Sequence, residues 1–147
     1  MTRWSPSFGT AFFDYIMAIS THEGLNARAR ELAILAVGAY FNCAYELYTH
    51  ESIAGLLGFS GPQIVDMSEG RLPEGITVGE TAVYNFATAM LTSKGPVKDA
   101  IWEDTVALLG QESLMVLMNL MGVCSYILCM MLNAAAVDVP AITKSTK

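Results

Sequence analysis

Charge is scarce in this chain, and what there is leans negative. Only 15% of its 147 residues are charged, 8 basic against 14 acidic, for a net charge of −6. Nucleic-acid binding draws most of its affinity from Lys and Arg that neutralise phosphates, and no basic cluster of that kind is visible. A nucleic-acid partner is therefore not expected. Cysteine is scarce as well. The three present, Cys43, Cys124 and Cys129, are odd in number and follow no framework spacing, which argues against a disulfide scaffold and for free thiols in a reducing, cytoplasmic setting. Without a Cys-x-x-Cys pair, a thioredoxin-like shuttle has no local resolving thiol. A phosphate loop, a dinucleotide fingerprint and a Gly-x-Ser-x-Gly elbow are all missing, and no cofactor is expected. The beginning of the chain is a poor secretory signal, because its apolar stretch is short and interrupted by Asp14.

Oil, by contrast, is plentiful. Apolar residues make up 53% of the chain, enough for one domain over 1–147 with a real core. A small domain has much surface for its volume, so the surplus calls for partner subunits or lipid as cover. One stretch, 114–137, has no charged residue and is long enough to cross a bilayer. It contains Asn119, Ser125 and Asn133 and lacks Lys/Arg flanks. A helix apolar on all sides also suits the centre of an oligomer, which is the reading adopted, with no membrane association.

The periodicity is helical throughout, without the Val/Ile/Thr alternation of strands. It predicts an all-α domain of six to seven helices. A first helix over 10–20 carries Phe12, Phe13, Ile16, Met17 and Ile19 on its apolar face. A turn at 21–24 and an N-cap at Asn26 lead to a second helix reaching about 41. A third spans about 42–58. Ser60-Gly61-Pro62 opens a short fourth, with Pro in the first turn, where no donor is lost. A loop at 69–76 precedes the Thr77/Glu80 capping box of a fifth helix reaching about 93. A sixth covers 99–109, a seventh runs over 111–136, and residues 143–147 read as a frayed tail.

The chemistry concentrates on the third helix. At about 100° per residue, offsets of three and seven return to nearly one direction, so Cys43, Glu46 and His50 stack on one side. Ala54 and Leu57 continue that line. Glu46 and His50 stand one turn apart, where side chains meet, and a carboxylate beside imidazole suits a general acid/base. The same spacing also fits an ordinary surface pair beside a buried Cys. Glu31 borders the apolar run 32–37 and either faces inward or is a solvated charge paired with a neighbouring Arg. Tyr40, Phe41, Tyr45 and Tyr48 crowd the junction of the second and third helices, as walls for an organic ligand or as core. Trp102 and Phe86 fit either role. His22 falls in a turn and reads as exposed. Cys124 and Cys129, five apart, fall on nearly opposite sides of an α-helix and read as buried small hydrophobes. Glu46-x-x-x-His50 is compatible with a metal, but helical di-iron sites favour Glu-x-x-His with more carboxylates. No metal is expected.

Three segments, Arg28-Ala-Arg-Glu31-Leu-Ala-Ile-Leu, Cys43-Ala-Tyr45-Glu46-Leu-Tyr-Thr-His50 and Ala54-Gly-Leu-Leu-Gly58-Phe-Ser, resemble the carboxymuconolactone decarboxylase-like family of the alkylhydroperoxidase D-like superfamily. The similarity extends through Thr77-Val-Gly-Glu80, Lys98-Asp-Ala-Ile-Trp102 and Leu132-Asn133, over about 26–140. The resemblance implies a helical fold assembling as homotrimers or homohexamers. In peroxidase members a glutamate, a Cys-x-x-Cys pair and a histidine form a proton relay. Glu31, Cys43 and His50 match the glutamate, the first cysteine and the histidine. Glu46 replaces the second cysteine, as in decarboxylase-like members with a Tyr-Glu-Trp pattern, and Leu47 stands where that tryptophan is usual.

The expectation that follows is a cofactor-independent lyase or isomerase acting on a small carbonyl- or carboxylate-bearing metabolite by decarboxylation, isomerisation or cyclisation. In it His50, Glu46, Glu31 and Cys43 are catalytic, and Tyr45, Tyr40, Tyr48 and Trp102 bind substrate. The alternatives are a thiol peroxidase using Cys43 with an external resolving thiol, and a non-catalytic ligand-binding protein.

Overall fold

The second helix has apolar residues on every side, and it becomes the axis around which the others pack. In the computed structural model, which describes residues 6–140, it is α2 (Ala27–Tyr40), and every residue from Glu31 to Gly38 on it is buried. Around it stand α3 (Ala44–Leu56), α4 (Gly61–Ser68), α5 (Val78–Thr92) and a long C-terminal rod. The rod consists of α7 (Gln111–Gly122), a π-helical segment (Val123–Cys129) and α8 (Met130–Ala134) in unbroken succession. α6 (Asp99–Leu109) bridges α5 and α7, and α1 (Pro6–Ser20) lies against α7. That makes seven helical rods and no strand among the described residues, the all-α domain expected from the periodicity. The tail 143–147 lies outside them.

Capping chemistry sets the helix starts. Asn26 accepts the Ala29 amide at 2.9 Å, and Ser60/Gln63 and Thr77/Glu80 form complete capping boxes. Gly110, at φ 80°, separates α6 from α7 in a conformation that side chains disfavour.

One expectation changes. Of the apolar face expected on α1 only Phe12 and Ile19 are buried, with Ile16 half-buried, while Phe13 and Met17 are more than half exposed. The ridge at offsets of four and seven faces α7, and the other two side chains point away from it. The rod 111–134, mean hydropathy 2.0, is long and apolar enough to span a membrane, but the monomer buries only 47% of its most apolar window. The helix at the centre of the domain is α2, buried without interruption from Glu31 to Gly38.

Candidate active site

α2 and α3 meet in a tight turn in which Asn42 takes a left-handed conformation, φ 48°, one that Asn tolerates better than most residues. The Cys43 amide then donates to the Gly38 carbonyl at 2.9 Å. This hairpin lays α3 back along α2. Gly38 makes the approach possible, since a Cβ there would lie 3.1 Å from Leu47 Cδ2 and 3.7 Å from Glu46 Cβ.

Glu31 and His50 thereby come together. His50 Nδ1 lies 2.7 Å from Glu31 Oε2, and its Nε2 faces Glu46 Oε2 at 3.4 Å. The ring is held between two carboxylates, both buried, at 7% and 6% exposure. Burial alone would push the imidazole towards its neutral form. The hydrogen bond to Glu31 and the negative charges of Glu31 and Glu46 outweigh it, raising the His50 pKa from 6.5 to about 9. At neutral pH the ring is therefore an imidazolium with both nitrogens protonated. The contact to Glu46 is not a hydrogen bond, so Glu46 Oε2 is a buried oxygen without a partner, a costly condition unless something else fills the role.

The thiols gather on the same side. Cys43, 1% exposed, lies close to Cys129, and burial together with the proximity of that thiol pushes the Cys129 pKa up. Burial and the charges of Glu46 and Glu31 push Cys124 up to about 12. Two cysteines five apart thus both face the α2–α3 junction, where α-helical winding would separate them. The π segment is the cause: its i→i+5 bonding stacks residues five apart. The Asn133 side chain fixes the arrangement by donating to the Phe41 carbonyl at 2.8 Å.

His50 borders a small cavity of about 120 Å³ between α1, α2 and the rod, walled by Ile16, Ile19, Ile34, Leu120, Val123 and Leu128, with Ser20 and Cys124 also on its lining. None of Tyr40, Tyr45, Tyr48 or Trp102 lines it. Tyr45 is half-buried and Tyr48 exposed on α3. Tyr40, 54% exposed, packs edge-on against Phe41 and lines another cavity with Met90 and Met121. Trp102 packs against Phe86, ring centroids 6.2 Å apart. His22 accepts the Gly24 amide through Nδ1 and faces Glu112 with Nε2, away from this site. Among the described residues no group of three or more His, Cys, Asp or Glu side chains is arranged to hold a metal ion. The cavity walls were not singled out in the sequence. Aliphatic residues on α1 and the rod look like any other core positions, and only Cys124 carried a chemical signal.

Such a site can deliver a proton from imidazolium and accept one on a neighbouring carboxylate. No protein-family model matches the chain, and no curated protein matches it.

Proposed function

We propose that the protein is a cofactor-independent enzyme, of the lyase/isomerase kind found in the carboxymuconolactone decarboxylase-like family it resembles, that moves protons beside a carbonyl of a small organic metabolite. The observation that carries this reading is His50 held between Glu31 and the unpartnered oxygen of Glu46. Glu46 takes the proton from the carbon next to the carbonyl, and the C–H electron pair becomes the new C=C bond. The carbonyl oxygen receives the proton of His50 Nε2, giving a neutral enol. Glu31 keeps the ring in place through Nδ1. A charged pair already oriented in a dry site needs little reorganisation as the enol forms. His50 takes the acid's part because an imidazole with a pKa of about 9 is protonated at neutral pH. Cys43 supports the site from the α2–α3 turn. Assembly as a homotrimer or homohexamer belongs to the same proposal, supported by the exposed Phe8, Phe13, Met17 and Met115.

Deuterium wash-in from D2O to a panel of small ketones, followed by NMR, tests it. His50→Gln should slow exchange by about 100-fold or more with the helical circular-dichroism spectrum intact, and Cys43→Ser should retain most of the rate. Equal losses in both variants would replace acid/base chemistry with a thiol mechanism.

The Cys43–Cys129 contact favours one second reading. A hydroperoxide would oxidise Cys43 to a sulfenic acid as its O–O bond breaks and an alcohol leaves. Cys129 sulfur would then displace water to give a disulfide. Cys129 would thus take the place of the external resolving thiol, although deep burial and a raised pKa make it a slow nucleophile. Counting free thiols in the denatured protein after peroxide treatment separates the readings, since the redox mechanism removes two of the three.

A further inference from the structure

The space bordering His50 is small and aliphatic, and among the described residues the His50 imidazolium is the one cation on its lining. An apolar cavity of about 150 Å³ holds benzene, so the roughly 120 Å³ here suits a short branched or cyclic hydrocarbon group. His50 is the one charged group on its lining, and that charge is already shared between Glu31 and Glu46. Two carboxylates against one imidazolium leave the site net negative. No other cation can restore the balance among the described residues. Arg28 is held by Glu80 and the Leu57 carbonyl, Arg30 by the His22 and Leu25 carbonyls, and Arg71 by Asp66 and Glu69. Lys98 lines a different cavity between α5 and α6, and Lys94 is exposed.

We propose that this cavity selects an uncharged carbonyl compound bearing a short branched or cyclic apolar group, and turns carboxylates away. The inference rests on the proton-transfer reading of the same site. A carboxylate entering here would lose its hydration and become a third negative charge beside Glu31 and Glu46. A ketone places its apolar arm against Ile16, Ile34 and Val123 and its oxygen on the imidazolium. Glu46 Oε2 stays free to take the proton. Among the proton transfers considered above, this favours isomerisation or cyclisation of a neutral ketone over decarboxylation, whose substrate must carry the excluded group.

Methyl isopropyl ketone and isobutyrate, nearly equal in shape and different in charge, test the selection. Each is titrated against the full chain while the His50 ring resonances are followed by NMR, and exchange of the ketone's α-protons is measured in D2O. The ketone should perturb His50 with an affinity about tenfold or more above that of isobutyrate. Ser20→Lys, at an exposed position on the cavity lining and the C-terminal end of α1, should raise isobutyrate affinity and narrow the gap. Equal binding of the two ligands to the unmodified protein overturns the inference, as does failure of both to perturb His50. Selective ketone binding with no exchange beyond that of His50→Gln upholds the selectivity and sinks the proton-transfer reading. Exchange that isobutyrate inhibits as strongly as a matched ketone does the reverse.

Discussion

Glu31, His50 and Glu46 tie stability to pH in a definite direction. The folded pKa of His50 lies above the unfolded value, so its contribution is fully present below about pH 6.5 and fades as the pH rises through about 9. A rise of that size corresponds to on the order of 3 kcal/mol. Urea denaturation at a series of pH values should therefore show a loss of stability between neutral and alkaline pH that His50→Gln largely removes. NMR titration of the ring should show a lower pKa in both Glu31→Gln and Glu46→Gln, with the greater drop in Glu31→Gln, whose bond is 2.7 Å against 3.4 Å for the other contact. At this scale the stripe of Cys43, Glu46 and His50 was legible from helical spacing alone. The position of Glu31 was not, because its partner lies 19 residues away and only the α2–α3 turn brings them together. Tyr40, Tyr45 and Tyr48 suit a ligand wall chemically, but residue type carries no information on direction, and they do not line the cavity at His50.

Among the elements, helix starts were the most legible feature, because caps are local chemistry: Asn26, Ser60 and Thr77 each bond within three residues. The joint between elements was not. Arg28 on α2 donates to Glu80 at the start of α5 at 2.6 Å and to the Leu57 carbonyl at the end of α3 at 3.0 Å. It also lies over the Phe59 ring at 3.7 Å. Burial pushes the Glu80 carboxyl upwards, but Arg28 and the Thr77 amide together hold it below its usual range. Arg28→Ala should cost about 2–3 kcal/mol in chemical denaturation, since it strands a buried carboxylate. The π segment was equally hidden. The composition of 123–129 resembles any apolar helix and carries no mark of the extra winding. Asn133→Ala, which removes the bond to Phe41, should cost about 1 kcal/mol by the same measurement.

At the scale of the molecule, the surplus of apolar residues translates into exposed side chains on α1 and the C-terminal rod. Phe8, Phe13 and Met17 stand more than half exposed, and Met115, Met130 and Met131 nearly so. Single apolar residues on a surface are ordinary, but clusters mark contact faces. Light scattering coupled to size exclusion should give a mass of three or six chains, and Phe13→Glu with Met17→Glu should lower it if α1 lies in the contact. In flotation with phospholipid vesicles the protein should remain in the aqueous fraction, because the rod is tied to α1, α2 and α6 by its packing. Composition made the need for cover legible. Which helix provides the exposed face was not, since the apolar run 32–37 of α2 is enclosed while the apolar rod has only 47% of its most apolar window buried.

The close approach at Gly38 has an evolutionary consequence. Positions 38 and 47 share one fixed volume between α2 and α3, so a gain of bulk at either must be matched by the other or by a wider gap between helices. A wider gap lengthens the Glu31–His50 contact and lowers the pKa of the imidazolium it sustains, so that less of the ring is protonated. Drift at two residues with no titratable atom can therefore reset the acidity of the site, and a lineage could retune its chemistry through bulk alone, leaving every polar group unchanged.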